Sequence, residues 1–194
     1  MNPQSVTQVR YRIMNYKKYS DYMHCIDQTI VNKAKNIKLL ILDVDGVMTD
    51  GGIILSDTNS ESKNFFAQDG HGIMIIRELG VEVAIISGRY SKAVEHRGKE
   101  LGFTTIIQNS RNKLLDYEKN FSKKYNLTEV CFVGDDVVDI GLLKNVGLAI
   151  TVPNANYNNV SKYSDWMTPR KGGSGAVRDV CDLICLAKNK NEIS

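Results

Sequence analysis

The sequence has no apolar run approaching the roughly 18–20 residues that a membrane-spanning helix needs, so no membrane span is expected. Its start, MNPQSVTQVRYRIMNYKK, lacks a continuous apolar stretch, so no secretory signal is expected either. There is no CxxC pair: Cys25, Cys131, Cys181 and Cys185 fit no metal-ligand spacing. Cys131 sits in an apolar run, and Cys181 and Cys185 are one helical turn apart. All four read as structural, with a reducing cytoplasm as the default compartment. Basic residues are scattered rather than striped among aromatics, which argues against nucleic acid as a partner. A net charge of +3 leaves anionic small molecules open. With only three prolines in 194 residues, and no repeat or Pro/Gly-rich linker, nothing divides the chain into two domains.

What is present is alternation. Residues 21–35 (DYMHCIDQTIVNKAK) carry Met23, Ile26, Ile30 and Ala34 at helical spacing, so a leading helix is expected within an extension spanning 1–36. Then IKLLILDVDG, an apolar run ending abruptly in acid, reads as a strand buried on both faces. The pattern recurs in VEVAIISGR (81–89), FTTIIQ (103–108), EVCFVGDD (129–136) and VGLAITV (146–152). Helical stretches at 70–79, 91–101, 111–125 and 137–145 lie between them. Strand and helix in alternation predict an α/β fold with a parallel sheet over 37–188. Residues 50–69 break the rhythm. There Ile53–Leu55 and Phe65–Ala67 flank a polar turn, which predicts a projecting β-hairpin.

Polar residues gather where the expected strands end. Asp43 and Asp45 close the first, Ser87, Gly88 and Arg89 the second, and Asp135 and Asp136 the fourth, with Asp139 one turn on. Lys113 follows the third. In open α/β sheets, ligands bind beyond the carboxyl ends of the strands. Several carboxylates in one place repel unless a cation lies among them, and oxygen ligands with phosphate nearby suit Mg²⁺. Phosphoryl transfer needs chiefly positioning and charge neutralisation. Asp43 suits a nucleophile and Asp45 an acid and base, with Ser87 and Lys113 on the phosphoryl oxygens and Asp135 completing a metal site.

Each piece has an ordinary reading. A lone DxD is common, SGR is often a turn, and a single lysine usually lies on a solvated helix face. GDDVVD alone can be a helix cap. Their joint occurrence, in order and each at a strand end or the loop after it, favours an active site.

LLILDVDGVMTDG, IISGR, Lys113 and VGDDVVD resemble, in order, the four motifs of the haloacid dehalogenase-like phosphatases. The likeness runs over about residues 35–187. The hairpin after the first motif, the DGHG at 69–72 and the tail RKGGSGAVRDVCDLI resemble the cap-less sugar-acid phosphatases of that superfamily. Those act on 3-deoxy keto acids such as 3-deoxy-D-manno-octulosonate 8-phosphate. The resemblance implies a Rossmann-like, HAD-like sheet without a cap domain, and a Mg²⁺-dependent hydrolase of lipopolysaccharide sugar synthesis working as a homotetramer. It assigns Mg²⁺ to the Asp43 carboxylate, the Asp45 main-chain carbonyl and Asp135. It puts Phe66, Ala67, Gln68, Asp69, Gly70, Arg89 and Arg97 where the family contacts substrate. Arg170, Gly172 and Gly173 fall where the family's tail reaches a neighbouring subunit's site. Gly172, Gly173 and Gly175 also precede a helix expected from Ala176, whose free N–H groups suit an anion.

The chain departs from the family pattern at Gln68, often Arg, at Met74, often basic, and at Ile140-Gly141, where a Pro is usual. The first two keep a nine-carbon keto-deoxy sugar acid, or a broader phosphomonoester, open as substrate. A receiver-like signalling module is disfavoured because the second strand ends in SGR without an aspartate. A catalytically silent subunit is disfavoured by the intact motifs. His96 is expected to be an exposed helix residue. With no cap, a neighbouring copy is expected to cover the site, hairpin against hairpin. Removal of the chain from Arg170 onward is expected to leave the core folded.

Overall fold

The computed structural model describes residues 26–58 and 60–189. Cys25 and the first part of the expected leading helix lie outside these. The helix that is described, α1 (Gln28–Lys35), starts where Asp27 accepts the N–H of Thr29 at 2.7 Å and buries Ile30, Val31 and Ala34.

Six parallel strands form the main sheet. In chain order they are β1 (Leu39–Leu42), β4 (Glu82–Ile86), β5 (Thr105–Ile107), β6 (Val130–Val133), β7 (Leu148–Thr151) and β8 (Trp166–Met167). Their spatial order is β5-β4-β1-β6-β7-β8. β1 is central, with Leu42 level with Ile85 of β4 on one side and Val133 of β6 on the other. The chain fills one side of β1 and then the other, so the sheet's direction of growth reverses there, and a crevice opens beyond its carboxyl end.

The runs that read as doubly buried strands are so because their alternate residues meet different layers. Leu40, Leu42, Val83, Ile85, Cys131 and Val133 face α1, α2 (Ala67–Glu78), α3 (Lys92–Glu100) and α7 (Ala176–Asn189). Leu39, Ile41, Ala84, Ile86 and Phe132 face α4 (Lys113–Asn120), α5 (Ile140–Leu143) and α6 (Tyr157–Val160). At about 1.5–3 kcal/mol for each large aliphatic side chain taken from water, these two layers carry most of the favourable free energy.

Three expectations need correction, and one strand, β8, was not expected at all. The hairpin pairs β2 (Ile54–Leu55) with β3 (Glu61–Ser62), not with Phe65–Ala67. Phe65 packs against the core and Phe66 is the residue before α2, so that apolar signal marks entry into the core. The stretch 137–145 is a 3₁₀ turn at Val137–Asp139 followed by the single-turn α5. β8 is two residues long, too short to show a period. Finally, α7 is a wall of the core, burying Val177, Val180, Leu183 and Ile184 against α1 and α2. Removing the chain from Arg170 would strip that wall and unfold the protein, not merely trim it. Cys131, Cys181 and Cys185 are free, buried thiols.

Candidate active site

The backbone N–H of Asp43 still donates to Val133 at 3.1 Å, so the sheet's ladder carries this residue to the mouth of the crevice. Lys113 opens α4, fixed there by Asn112, whose side chain accepts the N–H of Leu115 at 3.0 Å. Its ammonium lies 2.6 Å from Asp43 Oδ1 and 2.6 Å from Asp139 Oδ1, above the ring of Phe132. Burial works against the charge of Lys113, but Asp43 and Asp139 outweigh it and hold the ammonium above its ordinary range. The other oxygen of Asp139 accepts the N–H groups of Asp135 at 2.9 Å and Asp136 at 3.1 Å. Asp139 is therefore fully engaged, and it orients the Asp135 loop. Asp136 turns outward and caps the 3₁₀ turn through the N–H of Val137 at 2.7 Å.

Asp135 has the contrary situation. Its carboxylate accepts no hydrogen bond among the described residues and presses on the loop after β1. A Cβ on Gly46 would lie 2.1 Å from Asp135 Oδ2, and Gly46 has φ +90°, so glycine is required there twice over. Oxygens of Asp43, Asp135 and Asp139 lie within 4.8 Å of one another. Burial, then the neighbouring charges of Asp43 and Asp139, push the Asp135 carboxyl up to about 8. Burial likewise raises Asp43 to about 6 in spite of Lys113. Three close carboxylates against one ammonium leave an excess of negative charge. With Asp139 already engaged, Asp43 and Asp135 are the carboxylates free to hold a hard divalent ion. The residues present fit Mg²⁺.

Asp45 lies just past β1 in a second cluster. Its Oδ1 pairs with the ammonium of Lys63, and its Oδ2 is 3.7 Å from Nε of Arg89. Lys63 also meets Glu61 at 2.9 Å, and Arg89 meets the other oxygen of Glu61 at 2.8 Å. Ser87 and Gly88 close β4 next to β1. Ser87 is buried, with the N–H of Arg89 at 3.4 Å from its hydroxyl.

A second group gathers where α2 and α7 begin. Asp69 is buried and accepts the N–H of Arg178 at 2.8 Å, which caps α7 and ties it to α2. Burial raises this carboxyl to about 6 against the pull of that N–H and of the surrounding arginines. Arg97 lies across Gly70, and a Cβ there would come within 2.4 Å of its guanidinium. Phe66 and Ala67 lead into α2. Arg170 pairs with Asp179 and reaches Gln68 at 3.4 Å. His96 is exposed, as is Met74.

The glycine tail touches the first loop of its own chain. The N–H of Gly172 donates to Asn154 at 2.8 Å, and the amide of Asn154 donates to the carbonyl of Gly46 at 2.8 Å. Gly173 donates to Val47 at 3.2 Å. Sequence reading missed two of these residues. Lys63 looks like a solvated lysine until the hairpin folds it under, and Asn154 is one polar residue in a polar loop.

No protein-family model matches the chain. It is 42% identical over 166 residues to the 3-deoxy-D-manno-octulosonate 8-phosphate phosphatase KdsC of Escherichia coli (strain K12), covering 85% of this chain and 88% of that one. The 3-deoxy-D-manno-octulosonate 8-phosphate phosphatase of Yersinia pestis superposes with a TM-score of 0.82 at 39% identity, over 86% of this chain and 90% of that one. The enzyme of the same name from Moraxella catarrhalis, solved with magnesium, phosphate and KDO, gives 0.81 at 40% identity, over 84% and 94%. With likeness of this extent in both sequence and fold, the chain belongs to the 3-deoxy-D-manno-octulosonate 8-phosphate phosphatase family, within the haloacid dehalogenase-like superfamily.

Proposed function

We propose that this chain is a Mg²⁺-dependent phosphatase that hydrolyses 3-deoxy-D-manno-octulosonate 8-phosphate to the free sugar acid and inorganic phosphate. One observation carries the reading: Asp43 shares a buried ammonium with Asp139 while an unsatisfied carboxylate, Asp135, stands beside it. Asp43 attacks phosphorus, and Asp45 gives a proton to the departing sugar oxygen. Asp45 then takes a proton from water, which attacks the aspartyl phosphate and frees phosphate and Asp43. Lys113 and Ser87 hold the phosphoryl oxygens. Mg²⁺, held by Asp43, Asp135 and the main-chain carbonyl of Asp45, neutralises charge on the phosphoryl group.

Substrate choice belongs to the second group: Phe66, Ala67, Gln68, Asp69, Gly70 and Arg97, with Arg89 and Gly88 from the second strand's end. Where the family often has Arg, this chain has Gln68, yet Arg170 brings a guanidinium to that place from its own tail. This supports an eight-carbon sugar acid despite the substitution. The contacts of Gly172 and Gly173 with the first loop support an additional role for the tail within its own chain.

Ile53, Ile54 and Leu55 are 50%, 54% and 69% exposed on a two-stranded ribbon, a surface that suits pairing with another copy. This favours a homo-oligomer, a tetramer by family likeness. The three cysteines among the described residues are free thiols, which suits a reducing cytoplasm, where the sugar of lipopolysaccharide is made.

A phosphate-release assay across eight-carbon and nine-carbon keto-deoxy acid phosphates, with Mg²⁺ and with chelator, tests the proposal. The eight-carbon substrate is expected to turn over fastest, and only with metal. Equal, slow hydrolysis of unrelated sugar phosphates would refute the substrate. Full activity of Asp43→Asn would refute the mechanism.

A further inference from the structure

The hairpin brings a lysine to the acid and base of the site. The side chain of Lys63 is 1% exposed, and its ammonium contacts Asp45 Oδ1 and Glu61 Oε1. Burying an ammonium costs several kcal/mol unless its partners are well placed. Here the partners close a ring: Lys63 to Asp45, Asp45 toward Arg89, Arg89 to Glu61, and Glu61 back to Lys63. The signs alternate around it and sum to zero. The links are not equal, however. Arg89 stands 3.7 Å from Asp45, beyond a hydrogen bond, and is itself about half exposed and held by Glu61. Lys63 is thus the group that fixes the direction of the Asp45 carboxylate. Asp45 sits on the turn after β1, where no strand or helix limits its rotamer.

We infer that Lys63 is a positioning residue: anchored by Glu61 at the start of β3, it aims the carboxylate of Asp45 at the departing sugar oxygen and then at the attacking water. This rests on the reading of Asp45 as acid and base. Without Lys63, both Asp45 and Glu61 have only Arg89, and Asp45 turns toward it. A misaimed acid costs most where the leaving group must be protonated, as with a sugar alkoxide. It costs little where the leaving group departs without a proton, as with p-nitrophenolate. A misaimed base slows breakdown of the phosphoenzyme whichever substrate made it.

The test compares Lys63→Met with the parent on an alkyl sugar phosphate and on p-nitrophenyl phosphate, by steady-state and rapid-mixing kinetics. With the sugar phosphate, kcat is expected to fall about 10²-fold, the size of lost acid–base assistance, with little change in KM. With p-nitrophenyl phosphate, a burst of p-nitrophenolate equal to the number of sites is expected at near-parental rate, followed by slow turnover. Lys63→Arg is expected to restore most of kcat. In an Asp45→Asn background, Lys63→Met is expected to cost nothing more. A burst and a steady state slowed equally, a change in KM alone, or a loss that adds to that of Asp45→Asn would each overturn the inference. Should Lys63→Met not fold, Lys63→Gln carries the same comparison. Full sugar-phosphate turnover by Asp45→Asn would sink the acid–base reading itself. A crippled Asp45→Asn beside a parental Lys63→Met would sink only the role of the lysine.

Discussion

The ammonium of Lys113 lies 2.6 Å from an oxygen of Asp43, with both groups almost wholly buried. A second contact of equal length joins Lys113 to Asp139. The lysine is therefore a strut as well as a candidate phosphate ligand. Lys113→Met would leave two buried carboxylates facing each other. Removing one partner of a buried pair costs about 3–5 kcal/mol. Urea unfolding is expected to show a loss of that order together with loss of turnover. A variant as stable as its parent would show that the strut carries no load.

Acid should stabilise the protein when chelator is present. In the fold, the Asp135 carboxyl is held at about 8 and Asp43 at about 6, mainly by burial. In the unfolded chain both revert to about 3.9. A folded state that keeps protons the unfolded chain has lost is favoured at low pH. Stability is expected to decline as pH rises from about 4 and to level off past about 8. Divalent ions need these carboxylates ionised, so thermal protection by Mg²⁺ should grow over the same range. Asp135→Asn should flatten both trends. A chelator profile already flat between pH 5 and pH 8, read as Tm, would contradict the assignment.

Gly172→Ala tests the seam between the tail and the first loop. A Cβ at this position would stand 1.8 Å from the carbonyl oxygen of Gly46. Backbone must move there, and the residue that moves is Gly46 itself, which follows Asp45 and lies against Asp135. Turnover and Mg²⁺ affinity are expected to fall together while far-UV circular dichroism stays parental. Asn154→Ala, which breaks two hydrogen bonds across the same seam, is expected to cost about 1–3 kcal/mol. Parental kinetics in both variants would show that the seam does not shape the site.

The ribbon's exposed apolar residues offer a direct test of assembly. Leu55→Glu with Ile54→Lys places charge where a neighbouring hairpin would pack. Light scattering is expected to show a smaller species than the parent. An unchanged mass would put the subunit contact elsewhere.

Most of the sheet was legible because its strands are buried on both faces, which writes them as unbroken apolar runs. Ile41 and Leu42 face opposite layers, and both layers are dry. The motif aspartates were legible because charge at a strand's end is conspicuous. What escaped was set by tertiary contacts. The two residues of β8 carry no period, and Phe65 imitates a strand while serving as an anchor in the core. Lys63 and Asn154 have ordinary sequence contexts, and only folding brings one beneath a hairpin and the other between two loops. Asp139 was conspicuous in sequence only as one more carboxylate past the fourth strand, and its contacts, one oxygen on Lys113 and the other on two backbone N–H groups, depend on the fold.

The position of α7 has a consequence for how the molecule comes into being. The chain is synthesised from its N-terminus while a domain folds as a unit, and α1 and α2 rest on a helix made more than eighty residues after either. Until α7 leaves the ribosome, the oily face of the sheet is only partly covered, and the loop bearing Asp45 has no tail to lean on. The nascent chain must wait, collapsed but unfinished, and its chemistry can begin only once the last wall is in place.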